Sequence, residues 1–429
     1  MTAEVGVMNR LGIALAADSA VTLGKGIEKV YTSAEKLFHL AERAPVGLMV
    51  YGSANYVGMP WETIVKSYRR RLGPRTFETV AEYAEDLIRF LRANRRLFPA
   101  TSQKAEIRRI VAHLYLHTRE RIKKCLKDRK SPGKKLTVED IKAAVTEAVD
   151  YEAVEIRKSS MDVGVPKTLR PRLRKKCRPD FVALQKEVFR DLPMALGKKR
   201  ALTTLAVEQL LGGRFGPMRS GLVVAGFGEK EYTPAVVSLV IEGMVENRPR
   251  YHVSKTRGVS DDSSAAVMSF AQGEMVVTFM EGIDRDLRSL MEKSTDKLFR
   301  GVFEEIVSVA RKVDEGIGKH LASVFRRKVD AIVQQLFDTW KEASRRAYAA
   351  PIVEVVAALP KDELAAMAEA LVNLTKFKRR VSPVAETVGG PIDVAVITKG
   401  DGFVWVKRKH YFDPALNPRA MAKYGSGGG

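Results

Sequence analysis

The order of strand-like and helix-like segments constrains this chain more than any other feature. Strand character occurs near the start, in the middle and at the end of the 429 residues, and helical periodicity fills the long stretches between. Leu11–Ala17 is a near-continuous apolar run, the pattern of a strand buried on both faces. Glu4–Val7 precedes it across a turn at Met8-Asn9-Arg10, and Lys36–Leu40 and Val46–Tyr51 read as the next pair. Gly221–Phe227, Ala235–Glu242, Arg250–Ser254 and Ala265–Phe270 form a middle group. Ile392–Thr398 and Phe403–Lys407 close the chain as a hairpin turned at Lys399-Gly400-Asp401-Gly402. Strands this far apart pair only over long sequence separations. The expectation is therefore an α+β fold of packed layers, with early strands beside later ones and helices outside. No sequence repeat of fixed period is evident.

The helical stretches carry their own punctuation. Trp61–Leu72 follows Pro60, and Phe77–Asn94 follows Thr76 as an N-cap. Residues 101–215 read as helices over Glu106–Leu126, Val138–Val149 behind Thr137, Asp180–Arg190 and Lys198–Leu211. The joints fall at Ser131-Pro132-Gly133, Val163–Pro171 and Gly212-Gly213, and the stretch Val163–Arg178 is expected to be a mobile loop. A second helical region runs from Asp284 to Arg346. Lys361–Phe377 is an amphipathic helix with Leu364, Met367, Leu371 and Leu374 on one face. This organisation predicts a core built from residues 1–100, 216–283 and 355–413. Helical insertions occupy 101–215 and 284–354, and 414–429 is a tail whose Gly425–Gly429 end reads as flexible.

Composition narrows the function classes. The only cysteines are Cys125 and Cys177, in basic stretches and outside any CxxC pair, so neither a disulfide framework nor a zinc site is expected. No signal-peptide pattern opens the chain and no apolar run approaches the roughly 20 residues of a membrane span, so a cytoplasmic protein without a membrane partner is expected. The net charge is +22, and residues 101–215 carry +14 of it, from 28 Lys and Arg against 14 Asp and Glu. Arg119–Lys135 and Arg170–Arg178 are the densest runs. Such an insertion could meet nucleic acid, but aromatic side chains to stack on bases are scarce there, and a solvated surface is the plainer reading. His113 and His117 share a helix face at i, i+4, yet no HExxH pattern or carboxylate partner accompanies them, so no metal is expected. The absence of a phosphate-binding glycine loop means no cofactor is expected either, and any use of ATP falls to a separate ATPase or unfoldase partner.

Chemistry points to the first residues, Met1-Thr2-Ala3-Glu4-Val5-Gly6-Val7. Thr2 is small enough for removal of Met1 by an aminopeptidase. A threonine hydroxyl is a poor nucleophile alone, but a free α-amine beside it can take its proton. With an ordinary pKa of about 7.7–8.0, that amine is partly neutral near pH 7.

The spacing that follows resembles the mature proteasome β subunit. The matching residues are Thr2, Val5-Gly6, the strand ending Ala16-Ala17-Asp18-Ser19, Thr22 and Gly24. They continue through Glu35-Lys36-Leu37-Phe38-His39-Leu40 and Gly47-Leu48-Met49-Val50-Tyr51-Gly52. Gly221–Phe227 resembles the strand opening the second half of that fold, and Val388-Gly389-Gly390-Pro391-Ile392-Asp393-Val394 through Tyr411-Phe412 its closing segment. The resemblance covers about 1–95, 218–282 and 355–413. It implies a four-layer αββα sandwich of the N-terminal-nucleophile hydrolases and a threonine peptidase acting on protein or peptide in a homo-oligomer. It implies Thr2 as nucleophile, Lys36 as an electrostatic tuner of the Thr2 amine and hydroxyl, and Asp18 as the partner of Lys36. The Gly52 N–H would be the oxyanion donor, a role worth roughly 3–4 kcal/mol, and Thr22 a backbone pairing edge for substrate. Ala20 departs from the family pattern, where a basic residue is common. Supporting Ser and Asp residues have only loose counterparts here, in Gly273-Glu274 and in Ala385-Glu386-Thr387-Val388. An amidase acting on small amides, and a weakly catalytic scaffold for an anionic partner, remain as alternatives.

Overall fold

The computed structural model describes residues 2–23, 29–31, 33–130, 136–159, 161–190, 192–382, 388–410 and 412–419. The joint Ser131-Pro132-Gly133, Glu386, Gly24, Tyr411 and the Gly425–Gly429 end lie outside them. In chain order the first elements are β1 (Glu4–Asn9), β2 (Gly12–Asp18), β3 (Val21–Leu23), β4 (Lys29–Tyr31), β5 (Leu37–His39), β6 (Val46–Gly52), β7 (Asn55–Tyr56) and β8 (Met59–Pro60). Helices α1 (Trp61–Leu72), α2 (Val80–Ala93), α3 (Ala100–Arg129), α4 (Val138–Lys158), α5 (Arg170–Phe189) and α6 (Leu196–Leu211) follow. Next come β9 (Ser220–Gly226), β10 (Ala235–Val245), β11 (Arg248–Gly258), β12 (Ala265–Ser269), then α7 (Glu274–Glu281), α8 (Arg285–Val313) and α9 (Glu315–Ser344). The chain ends with α10 (Ala350–Ala358), α11 (Lys361–Arg380), β13 (Ile392–Thr398) and β14 (Gly402–Lys407).

The fold is α+β, and its sheets are built from antiparallel pairs. Two compact units account for the chain. The first, Met1–Ala34 with Gly258–Asn417, holds a sheet in the order β12-β1-β2-β13-β14. The pairings that the strand order demanded are long-range: Val5 opposes Ser269, and Ile392 opposes Asp18. β1 and β2 are buried at every position, as the unbroken apolar run of β2 requires. One face of this sheet packs against α11 and α10 through Val5, Val7, Ala14, Ala16, Leu364, Ala368, Leu371 and Val372. The Asn9 amide closes the end of α10 by donating to the Val356 and Leu359 carbonyls, both at 2.9 Å.

The second unit, Glu35–Arg257 with Pro418–Gly429, holds a sheet in the order β11-β10-β9-β6-β5. Helices α1 and α2 cover it with Trp61, Tyr68, Tyr83 and Leu87. Helices α3–α6 form a module with a core of their own, which meets β10 at Val245. Buried Arg250 donates to Glu242 at 3.1 Å and to the carbonyls of Gln209, Gly212 and Arg214, tying the β10–β11 hairpin to the end of α6.

Two sequence expectations need correction. Val163–Arg178 is not a loop throughout, since α5 begins at Arg170 and Val163 and Val165 are buried. Pro171 suits a first turn, and Leu173, Cys177, Phe181, Leu184 and Val188 line a buried stripe that carries the helix through Pro179. The cap of α2 is Thr79, whose hydroxyl accepts from the Glu82 N–H at 3.3 Å, while Thr76 bonds Glu229. The helical region Asp284–Arg346 consists of two helices. Asp314 breaks it and caps α9 by accepting from the Ile317 N–H at 2.8 Å, so α8 and α9 fold back antiparallel, with Arg300 reaching Asp330 at 2.7 Å. No helix among the described residues is long and apolar enough to cross a membrane.

Candidate active site

The candidate residues divide between the two units. In the first, the end of the β12-β1-β2-β13 sheet fixes the start of the chain. Thr2 lies just before β1 and is 4% exposed. The ladder between β1 and β12 continues past the strand ends: Phe270 N–H donates to the Glu4 carbonyl and Gln272 N–H to the Thr2 carbonyl, each at 3.0 Å. Gln272 was not singled out in the sequence. It acts through its backbone N–H, which leaves no mark on residue type.

Asp18, at the end of β2, holds the same segment from the other side. One carboxylate oxygen accepts from the Ala3 N–H at 3.0 Å. The other accepts from the Ala20 N–H at 3.2 Å and from the Gly389 N–H at 3.0 Å. The peptide following Thr2 is thereby pinned to a buried charge. Ala20, the departure from the family pattern, takes part through its backbone alone. Ser19 completes the join, donating from its hydroxyl to the Pro391 carbonyl at 2.7 Å, while its N–H donates to the Gly389 carbonyl at 3.2 Å. The sequence segments Asp18-Ser19 and Gly389-Gly390-Pro391, some 370 residues apart, are thus brought together.

Within that anchored segment, the Thr2 hydroxyl oxygen is buried and has no hydrogen-bond partner among the described residues. Leaving a buried hydroxyl unpaired costs about 1–3 kcal/mol, and such groups are rare in folded proteins. The backbone of Thr2, Ala3 and Glu4 is fixed by these bonds and by the Asp18 N–H donating to the Ala3 carbonyl at 3.2 Å, so the side chain is held in place without being satisfied.

In the second unit, Lys36 directly precedes β5 and is buried. Its carbonyl accepts from the Val50 N–H at 2.8 Å, extending the β5–β6 pairing by one step. Gly52 ends β6 two residues later, so Lys36 and Gly52 sit at the same end of one strand pair. Gly52 adopts a φ of +80°, and a Cβ there would stand 2.4 Å from the Arg219 carbonyl oxygen. The backbone alone therefore demands glycine at this position. Thr22 lies in β3, whose backbone pairs it with Val30 of β4. Glu274, in the loose counterpart segment, opens α7 and pairs with Arg379 at 2.7 Å.

Several of the other flagged side chains have structural partners. His113 and His117 lie on the outside of α3. His117 Nδ1 meets buried Glu152 at 2.6 Å, beside Arg214. In the basic insertion, Arg129 pairs with Glu147, Arg170 with Glu208, and Arg172 and Lys176 with Glu246.

No family model matches this sequence, and no curated protein does. Among solved structures the chain is similar to an Anbu (Gly-1) mutant from Hyphomicrobium sp. strain MC1, at 9% identity and a TM-score of 0.29. It is also similar to Anbu (ancestral beta-subunit) from Yersinia bercovieri, at 9% identity and a TM-score of 0.26. Each alignment covers 99% of this chain and 94% of the other.

Proposed function

We propose that this chain is an N-terminal-nucleophile hydrolase with the four-layer αββα architecture of the proteasome β subunit, and that it cleaves peptide bonds with Thr2 once Thr2 is the first residue. The observation that carries the reading is the buried, unpartnered Thr2 hydroxyl on a backbone clamped by Gln272 and Asp18. A hydroxyl kept clear of hydrogen bonds, next to an amine that becomes free when Met1 leaves, is arranged for proton loss to that amine. The order of Thr2, Asp18, Lys36 and Gly52 along the sequence supports the same reading.

In the proposed reaction the Thr2 oxygen attacks the substrate carbonyl carbon and its proton passes to the α-amine. The oxyanion takes a hydrogen bond from the Gly52 N–H. The carbon–nitrogen bond breaks, the amine's proton goes to the leaving nitrogen, and an ester to Thr2 remains. Water, deprotonated by the same amine, hydrolyses that ester and restores the hydroxyl. A buried lysine at position 36 favours the neutral amine by charge repulsion. Asp18 is a positioning residue for the Thr2–Ala3 peptide through its bond to the Ala3 N–H.

The test joins mass and activity. Intact mass should show a chain lacking Met1 with an unmodified amine on Thr2. Thr2→Ala should lower hydrolysis of fluorogenic peptides by at least about a thousandfold and abolish labelling by threonine-directed electrophiles. Retained Met1 or unchanged labelling in the variant would overturn the assignment. Cleavage of small amides with unfolded protein left intact would move the substrate from peptide to small amide while keeping Thr2.

A further inference from the structure

Helix α8 is apolar on two opposite faces. One faces α9 and includes Phe303 and Val307, and Val307 is the single buried residue among those described in the helix. Eight large apolar side chains of α8 stand on its other side: Leu287, Met291, Leu298, Val302, Val309 and Val313, between 38% and 81% exposed, form a central stripe, and Leu290 and Ile306, 61% and 43% exposed, flank it. A surface helix in a finished globular protein has one apolar stripe and a polar opposite face. A helix apolar on both sides is one that has a second partner.

The spacing of the six in the central stripe points to that partner. The intervals are 4, 7, 4, 7 and 4 residues. Leu287, Leu298 and Val309 repeat at eleven residues, and so do Met291, Val302 and Val313. Eleven residues are almost a whole number of turns of an ordinary α-helix, so the stripe stays on one face for its full length of about 39 Å. The same intervals read identically in both directions. About a point at Arg300, Leu287 mirrors Val313, Met291 mirrors Val309, and Leu298 mirrors Val302. A two-fold interface requires this self-complementarity, since each residue must meet the counterpart of the residue that it meets.

A glycine at the centre points the same way. Gly301 interrupts a 29-residue helix, where glycine costs about 1 kcal/mol relative to alanine. A Cβ at that position would meet nothing in this chain. Packing inside the molecule does not explain it, whereas close approach of a second helix beside the centre of symmetry does. Antiparallel pairing also sets the two helix dipoles in opposition.

We propose that α8 pairs antiparallel, about a two-fold axis near Arg300, with α8 of a second copy of this chain. The exposed stripe amounts to on the order of 600 Å² of side chain per copy, or about 1,200 Å² in the pair, the lower end of what specific interfaces bury. The pairing does not depend on the chemistry of Thr2.

Two experiments test it. Because Leu298 and Val302 are exposed, Leu298→Glu with Val302→Glu leaves the fold of the chain intact, which far-UV circular dichroism checks. The mass of the full-length assembly by light scattering should halve, with self-association at least tenfold weaker. A wild-type chain that stays monomeric throughout the micromolar range overturns the proposal, as does a double variant of unchanged mass. The second experiment mixes a Leu287→Cys chain with a Val313→Cys chain under mild oxidation. Antiparallel pairing predicts a disulfide between the two different chains that neither forms with itself. Equal cross-linking of either variant alone overturns the antiparallel geometry.

Discussion

Helices α3–α6 in one unit and the α8–α9 hairpin in the other are both long helical stretches placed between strands of their sheets. They dispose of apolar side chains differently. In α3–α6, Val111, Leu114, Ala148, Phe181, Leu202 and Leu210 close over one another, and the module finishes its own core. In α8–α9, the buried apolar side chains among the described residues are Val307, Val329 and Val333, while much larger ones stand in solvent. Two antiparallel helices offer each other one stripe apiece, whereas four helices around a centre can bury several. The difference shows that helix length and amphipathicity do not make a domain, because the number of faces that meet does. Part of the module's basic charge is paired with carboxylates such as Glu147, Glu208 and Glu246, which tie helices and turns together.

The largest effects should come from the most buried groups of the module and of the β10–β11 hairpin that it meets. Arg250→Ala should cost about 3–5 kcal/mol in denaturant unfolding, since it removes the fully buried partner of the Glu242 carboxylate and of three carbonyl groups. Phe181→Ala should cost a similar 3–5 kcal/mol through the cavity it opens. Leu298→Ala in the hairpin should change the stability of the dissociated chain by no more than about 0.5 kcal/mol. A large loss at Leu298 in the monomer, or a small one at Phe181, would break the contrast between the two regions.

A smaller effect sharpens it. Thr137 and Asp140 form a reciprocal capping box at the start of α4, with Asp140 N–H donating to the Thr137 hydroxyl at 3.1 Å. Thr137→Ala should cost about 1 kcal/mol. Hydrogen exchange should show the loss along α4, with α8 and α9 unchanged, because the module holds its helices in one cooperative core.

Local signals with a single reading were legible in the sequence. β2 showed as an apolar run, α1 began behind Pro60, and Thr137 announced α4. The start of the chain, Asp18-Ser19 and Gly389-Gly390-Pro391 could be marked as segments of interest, and the sheet joins them in one place. Choices between near-equivalent residues were not legible. Thr76 and Thr79 are both plausible caps, and only Thr79 has Glu82 three residues on at the helix start. The basic stretch Arg170–Arg178 looked like loop because its apolar positions, Leu173 and Cys177, are sparse until Phe181 joins them. Gln272 was invisible because a backbone N–H does its work. The α8 stripe was amphipathic in the sequence, but which face would find a partner inside the chain depended on where α9 turned back at Asp314.

The smallest effect concerns pH. Partial desolvation is the main influence holding the His113 imidazole below its ordinary value, reinforced by His117, Arg214 and Arg109 and opposed by Glu242. The unfolded chain therefore takes up a proton at His113 at higher pH than the folded chain does. Below an ordinary histidine pKa of about 6.5 the unfolded state binds more protons, so stability falls as pH drops through that value. The loss levels off once the folded form is protonated too. Above it, both states are neutral and the term vanishes. Melting temperatures compared between about pH 7.5 and pH 5.5 should fall in acid, and His113→Gln should remove part of that fall while leaving the value at pH 7.5 nearly unchanged. The α8–α9 stripe is made of Leu, Met and Val, which do not titrate, so the Leu298→Glu with Val302→Glu chain should retain the full acid slope. A slope that persists in His113→Gln would place the acid sensitivity elsewhere in the unit, with His39, whose imidazole burial also lowers, as the next residue to replace.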